Sequence, residues 1–165
     1  MLGGSFRLLM FFAVASVACA QRPLIQGLEK PKAEVAPVRF LYPEQLSLPV
    51  GKATPVALHF EIAPGLHINA HKPLDKDLIP AELSIAPESG VVLKQSLWPK
   101  GAMYQLPADP TTKLLVYAAD FTVDATLVAQ PGEHLVEAKF RYQACDNKAC
   151  MPPKTIPVVI DVVGK

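Results

Sequence analysis

The residues of this sequence best suited to chemistry are two cysteines near its end. The 165-residue chain has three cysteines, Cys19, Cys145 and Cys150. Between the last two lie only Asp146, Asn147, Lys148 and Ala149. Asp and Asn favour turns, because their side chains bond nearby backbone and tolerate left-handed conformations. The spacing therefore predicts a hairpin loop with a cysteine on each flank. A disulfide needs Cα atoms about 4.4–6.8 Å apart, which a hairpin base supplies. Closing so short a loop is worth about 2 kcal/mol in the chain-entropy model, and joins no distant strands. Such a bond is a weak staple but a usable switch, since breaking it should leave a core intact. The thiolate is the attacking species, and Lys148 and Lys154 would favour it modestly. The competing reading is an inert disulfide, the commoner fate of a lone pair in a secreted chain.

Other chemistry-bearing residues are weaker. His67, Asn69 and His71 alternate after the Pro64-Gly65 turn, so a strand would point them to one face. With Met103, Met151 and the thiolates they could form half of a copper site. No compact Cys/His spacing supports zinc, and no metal is expected. His67 fits better as a lining of the cysteine pocket, where a histidine can tune a thiolate. Asp75 and Asp77 read as a solvated loop. Tyr142 and Trp98 read mainly as packing aromatics, with Tyr142 also a pocket lining. The sequence has no phosphate-cradling glycine loop and no serine-centred nucleophile motif, and no cofactor is expected.

The elements that must position the pair are strands. Val56, Leu58, Phe60 and Ile62 alternate with polar or small residues, the pattern of a half-buried strand. Residues 81–86 and 91–97 read as two short strands split by Pro87-Glu88-Ser89-Gly90. Residues 114–123 read as one longer strand, irregular near Ala118-Ala119. After a turn at Pro131-Gly132, the residues Val136, Ala138, Phe140, Tyr142 and Ala144 share an apolar face that runs directly into Cys145. Ile156, Val158, Ile160 and Val162 form a last alternating strand. No segment holds a period of 3.6. Seventeen prolines, well above average usage, also disfavour helices. The expected fold class is all-β: an immunoglobulin-like antiparallel β-sandwich, with an open barrel as the alternative.

The N-terminus sets the compartment. Arg7, the apolar run from Leu8 to Val17, and Ala18-Cys19-Ala20 match a cleavable signal peptide over residues 1–20. The apolar run is too short to span a bilayer. Cleavage after Ala20 removes Cys19 and leaves the pair in a disulfide-permissive compartment. Cys19 as a lipid acceptor is the alternative and would tether the domain to a membrane, although Ser16-Val17-Ala18 is a poor lipobox. Residues 21–36 read as a flexible lead-in and residues 37–165 as one domain. A formal net charge of +1 with 19% charged residues gives no reason to expect nucleic acid.

The stretch Tyr142 to Pro153, Y-Q-A-C-D-N-K-A-C-M-P-P, resembles the signature of the N-terminal periplasmic domain of the thiol:disulfide interchange protein DsbD. The segments F-E-I-A-P-G-L-H-I-N, from Phe60 to Asn69, and Trp98-Pro99-Lys100-Gly101 extend the resemblance over roughly residues 37–163. It implies an immunoglobulin-like domain that carries reducing equivalents to or from thioredoxin-fold proteins in the periplasm. Cys150 would form the mixed disulfide and Cys145 would resolve it. A cap over Met103 to Asp109 would shield the pair, with Tyr104 and Leu106 as the shields. The sequence ends at Lys165 without the other modules of full-length members, so a separate membrane reductase is the expected electron donor. The remaining expectations are a binding or adaptor module with a structural disulfide and, behind it, a copper-handling domain.

Overall fold

Period-two alternation becomes long paired strands wherever the sequence sustains it. The computed structural model describes residues 36–41, 45–107 and 109–165. The signal peptide and almost all of the lead-in therefore lie outside the described residues. Those described belong to one unit, Val35–Lys165, which has twelve strands and no α-helix among them. No helix there is long and apolar enough to cross a membrane.

The first sheet contains β1 (Val38–Leu41), β3 (Thr54–Ile62), β9 (Phe121–Ala129) and β6 (Val91–Leu97), in the order β1-β3-β9-β6, with every pairing antiparallel. The second contains β2 (Leu46–Leu48), β12 (Lys154–Gly164), β10 (Gly132–Tyr142) and β5 (Glu82–Ser84), in the order β2-β12-β10-β5. Its spine is the antiparallel ladder from Gly132 opposite Gly164 to Tyr142 opposite Lys154. The short edge strand β2 runs parallel to β12.

The two sheets meet through the alternating residues read from the sequence. Val56, Leu58, Phe60 and Ile62 are buried on β3, and Val136, Ala138, Phe140 and Tyr142 on β10. Phe60 is the centre of this layer. Its ring lies 4.5 Å from Phe140 on the opposite sheet, 5.2 Å from Phe121 and 5.4 Å from Phe40. Each fully buried ring of this kind contributes about 1.5–3 kcal/mol from removal of apolar surface. The fold is thus an immunoglobulin-like antiparallel sandwich, as expected.

Two features depart from the expected plan. Residues 114–123 are not one strand. The chain leaves β8 (Asp109–Tyr117) and enters β9 at Phe121, in a different sheet. An exposed corner at Ala118, Ala119 and Asp120 separates them. Tyr117 and Phe121 stack across the corner at 4.7 Å, which keeps both sides apolar and carries the alternation through the break. The second departure is a third sheet, β11 (Ala144–Cys145), β4 (His67–Asn69), β8 and β7 (Ala102–Leu106), in the order β11-β4-β8-β7. It is this sheet that carries Cys145, with Cys150 bridged to its end.

Candidate functional site: the Cys145–Cys150 disulfide

The apolar face of β10 delivers Cys145 to its place. Ala144 and Cys145 leave the second sheet and pair with β4, Ala144 opposite Ile68 and Cys145 opposite His67. The partner strand is aimed by the Pro64-Gly65 turn, where Gly65 takes a φ of +80° that a side chain would resist. From Cys145 the chain turns through Asp146–Ala149 and returns, with Cys145 and Cys150 forming an isolated antiparallel bridge. The two sulfurs are bonded and the Cα atoms lie 3.9 Å apart, below the usual disulfide range.

The loop is held by more than the disulfide. The Asp146 carboxylate accepts the backbone N–H groups of Lys148 at 2.7 Å and Ala149 at 2.8 Å. The Asp146 N–H donates to the Ala149 carbonyl at 3.0 Å, and the Met151 N–H donates to the Ala144 carbonyl at 2.8 Å. Hydrogen bonds from Ala149 and Lys148 hold the Asp146 carboxyl below its ordinary pKa, helped by the charges of Lys148 and His67. Beneath the loop, the Gln143 amide donates to the Met151 carbonyl at 3.2 Å, and Asn69 donates to the Ile79 carbonyl at 3.0 Å.

Exposure divides the pair. Cys145 is only 2% exposed, whereas Cys150 is exposed. Lys148 and Lys154, read as thiolate supporters, are both solvent-exposed, where water screens their charge. Lys148 acts on Asp146 instead.

His67 and Tyr104 gather at this end. His67 is 2% exposed and opposes Cys145 directly across the strand pair. Burial lowers its pKa from the ordinary histidine value, with the Asp146 charge opposing that shift. Its Nε2 is buried with no hydrogen-bond partner among the described residues. The Tyr104 ring lies against it at 4.3 Å, and the Tyr104 hydroxyl donates to Asn147 in the cysteine loop at 2.5 Å. Tyr104 belongs to β7, whose hairpin with β8 reaches over from the far edge of the third sheet. At the hairpin turn, Asp109 accepts from the Thr111 and Thr112 hydroxyls at 2.6 Å each. Those bonds bring its pKa down to about 2.

The remaining sequence candidates are placed apart from this cluster or at its margin. Leu106 is half-buried at the end of β7, paired with Asp109. Tyr142 is buried and stacks on Phe140 at 5.5 Å, so it joins the core layer. Burial raises its phenol above the ordinary value, with the Val38 backbone opposing, and the hydroxyl makes no well-formed hydrogen bond among the described residues. His71 lies beyond β4, donating from Nδ1 to the Ala81 carbonyl (2.8 Å) and stacking flat on Trp98 at 4.6 Å. His67, Asn69 and His71 thus serve three different neighbourhoods. No group of three or more His, Cys, Asp or Glu residues suited to a metal occurs among the described residues. A groove of about 350 Å³ beside Trp98, bordered by His71, Lys72, Lys100 and Leu115, includes neither cysteine in its lining. The Asp146 clasp is the backbone-bonding turn chemistry read from the loop's Asp and Asn. Gln143 as a strut was missed at the sequence level, and nothing local marks it.

Among solved structures, the chain is similar to the N-terminal domain of DsbD from Neisseria meningitidis in the reduced form, with 20% identity, a TM-score of 0.45, and coverage of 70% of this chain and 82% of that one. It is also similar to AggA, the major subunit of aggregative adherence fimbriae type I from Escherichia coli, with 11% identity, a TM-score of 0.33, and coverage of 78% and 95%. No curated protein matches. The family model described as thiol:disulfide interchange protein DsbD, N-terminal, matches residues 37–160, and with most of the chain covered, this protein belongs to that family.

Proposed function

We propose that the domain is a periplasmic carrier of reducing equivalents, exchanging its Cys145/Cys150 pair with thioredoxin-fold proteins. The observation that supports this most directly is the unequal exposure of the two cysteines. An exchange carrier needs one sulfur that a partner can reach and a second, protected sulfur that acts only afterwards. In the dithiol state the Cys150 thiolate attacks a sulfur of the partner's disulfide, breaking that bond and forming a mixed disulfide. Cys145 then attacks Cys150, restores the internal disulfide, and releases the partner as a dithiol. Two electrons pass to the partner per cycle. A separate membrane reductase returns them to the domain.

In this reading the Tyr104 hairpin acts as the cap. It lies over His67 and holds Asn147, so small oxidants and reductants meet a partly covered loop, whereas a docking protein can displace the hairpin. Trapping tests the assignment. Cys145→Ser, incubated with a thioredoxin-fold protein in its disulfide form, should accumulate a covalent adduct that dithiothreitol releases. Cys150→Ser should accumulate none. Absence of an adduct with Cys145→Ser would sink the carrier reading and leave an adaptor domain with an inert disulfide.

A further inference from the structure

His67 has a property that neither packing nor the cap explains. It is a buried imidazole whose Nε2 is sealed from solvent without a hydrogen-bond partner among the described residues. An unsatisfied polar atom in the interior is costly, and native proteins retain few of them without a reason. Directly opposed residues of an antiparallel pair put their side chains on the same face, with Cβ atoms about 4.5–5.5 Å apart. His67 and Cys145 are such a pair. In the disulfide state the Cys145 sulfur has no proton to offer. In the dithiol state it gains an S–H beside the imidazole.

Building on the carrier reading, we propose that His67 is the proton relay of the buried cysteine, accepting the Cys145 thiol proton at Nε2 when Cys145 resolves the mixed disulfide. Cys145 needs such a group because, at 2% exposure, it has little access to bulk water as a base. The Cys145 S–H bond breaks and its proton moves to His67. The Cys145 thiolate attacks the Cys150 sulfur, a Cys145–Cys150 bond forms, and the bond from Cys150 to the partner breaks. The partner sulfur leaves with the electron pair as a thiolate and takes up a proton, from the imidazolium or from solvent.

The surroundings suit that task. Burial keeps His67 neutral, and so able to accept, at neutral pH, while Asp146 stabilises the imidazolium once it forms. Tyr104 faces the ring from β7. On the β8 side, the Tyr117 phenol is turned elsewhere, donating to the Pro99 carbonyl and accepting from the His71 N–H. Lys148 is engaged with Asp146. Among the described residues, Cys145, Asp146 and Tyr104 are the titratable groups placed against the relay.

A test that needs no protein partner separates this inference from the carrier reading. The reduced domain is mixed with Ellman's reagent. The first coloured thiolate reports attack by the exposed cysteine, and the second reports resolution by Cys145. His67→Phe should leave the first release unchanged and slow the second at least tenfold between pH 6 and pH 8, within the usual reach of acid–base assistance. It should also favour the disulfide about tenfold in equilibrium with glutathione, a shift of about 30 mV to more negative potential. His67→Gln, which keeps a hydrogen-bonding group but cannot take a proton, should recover the equilibrium but not the rate. It also serves if the Phe variant folds poorly. A second release with wild-type rate and pH profile in either folded variant overturns the relay. Failure of the trapping experiment, with these effects intact, would overturn only the carrier reading.

Discussion

Phe60 and His67 stand on either side of the Pro64-Gly65 turn, and both are buried. Phe60 is surrounded by rings from both sheets of the sandwich. His67 has a cysteine opposite, a tyrosine ring against it, a carboxylate within electrostatic reach, and a nitrogen left unpaired among the described residues. The same chain thus buries an apolar centre with every contact favourable and, one turn later, a polar centre with a deliberate deficit. The difference teaches where each kind of free energy is kept. Cohesion resides in the sandwich, while on the proposed relay the third sheet trades some of it for reactivity.

Mutation can break that division. The largest effect should come from Phe60→Ala. Truncating a fully buried ring with this many neighbours is expected to cost about 3–5 kcal/mol, read as a lower midpoint in urea unfolding followed by circular dichroism. A loss below about 1 kcal/mol would mean that the sandwich is not the stability centre, since burial of even one such ring is worth more.

Next in size is removal of the disulfide. The double variant Cys145→Ser with Cys150→Ser should lose about 2 kcal/mol, the loop-closure value for so short a ring, and lose all thiol exchange. A loss as large as that of Phe60→Ala would make the bond a staple after all and erase the contrast between the regions.

The smallest effect should come from Tyr104→Phe. It removes only the hydrogen bond to Asn147, an exposed contact worth about 0.5–1.5 kcal/mol at most. Stability should barely move, but reduction of the disulfide by dithiothreitol should quicken several-fold as the hairpin loosens. Unchanged reduction kinetics would remove Tyr104 from the cap.

The two regions also differed in how far the sequence revealed them. Strands β3, β10 and β12 were legible because each sustains alternation long enough to expose its period, and their inward faces were named residue by residue; β6 was legible from the turn residues that precede it. The third sheet was not. Its strands β4 and β11 have three and two residues, too few to show a period, and their pairing is imposed by tertiary contacts. The β7–β8 hairpin hid behind the reading of residues 114–123 as one strand. No glycine or proline marks the corner at Ala118–Asp120, and Tyr117 and Phe121 keep the apolar rhythm across it. At the site, the cysteines and His67 were legible as residue types with a reason to meet. Their unequal burial was not, because it depends on how β11 tucks against β4 while the chain beyond Asp146 turns outward.

The Asp146 clasp has a consequence for the reduced protein. Its carboxylate and backbone close the loop through hydrogen bonds that involve neither sulfur. Cleaving the disulfide therefore removes one tie among several, and the thiols remain neighbours rather than drifting apart. Each faces the other at a high effective concentration, with the entropy of their encounter already spent when the chain folded. On the carrier proposal, a partner that engages Cys150 competes from the outset against an intramolecular rival that the fold holds in place.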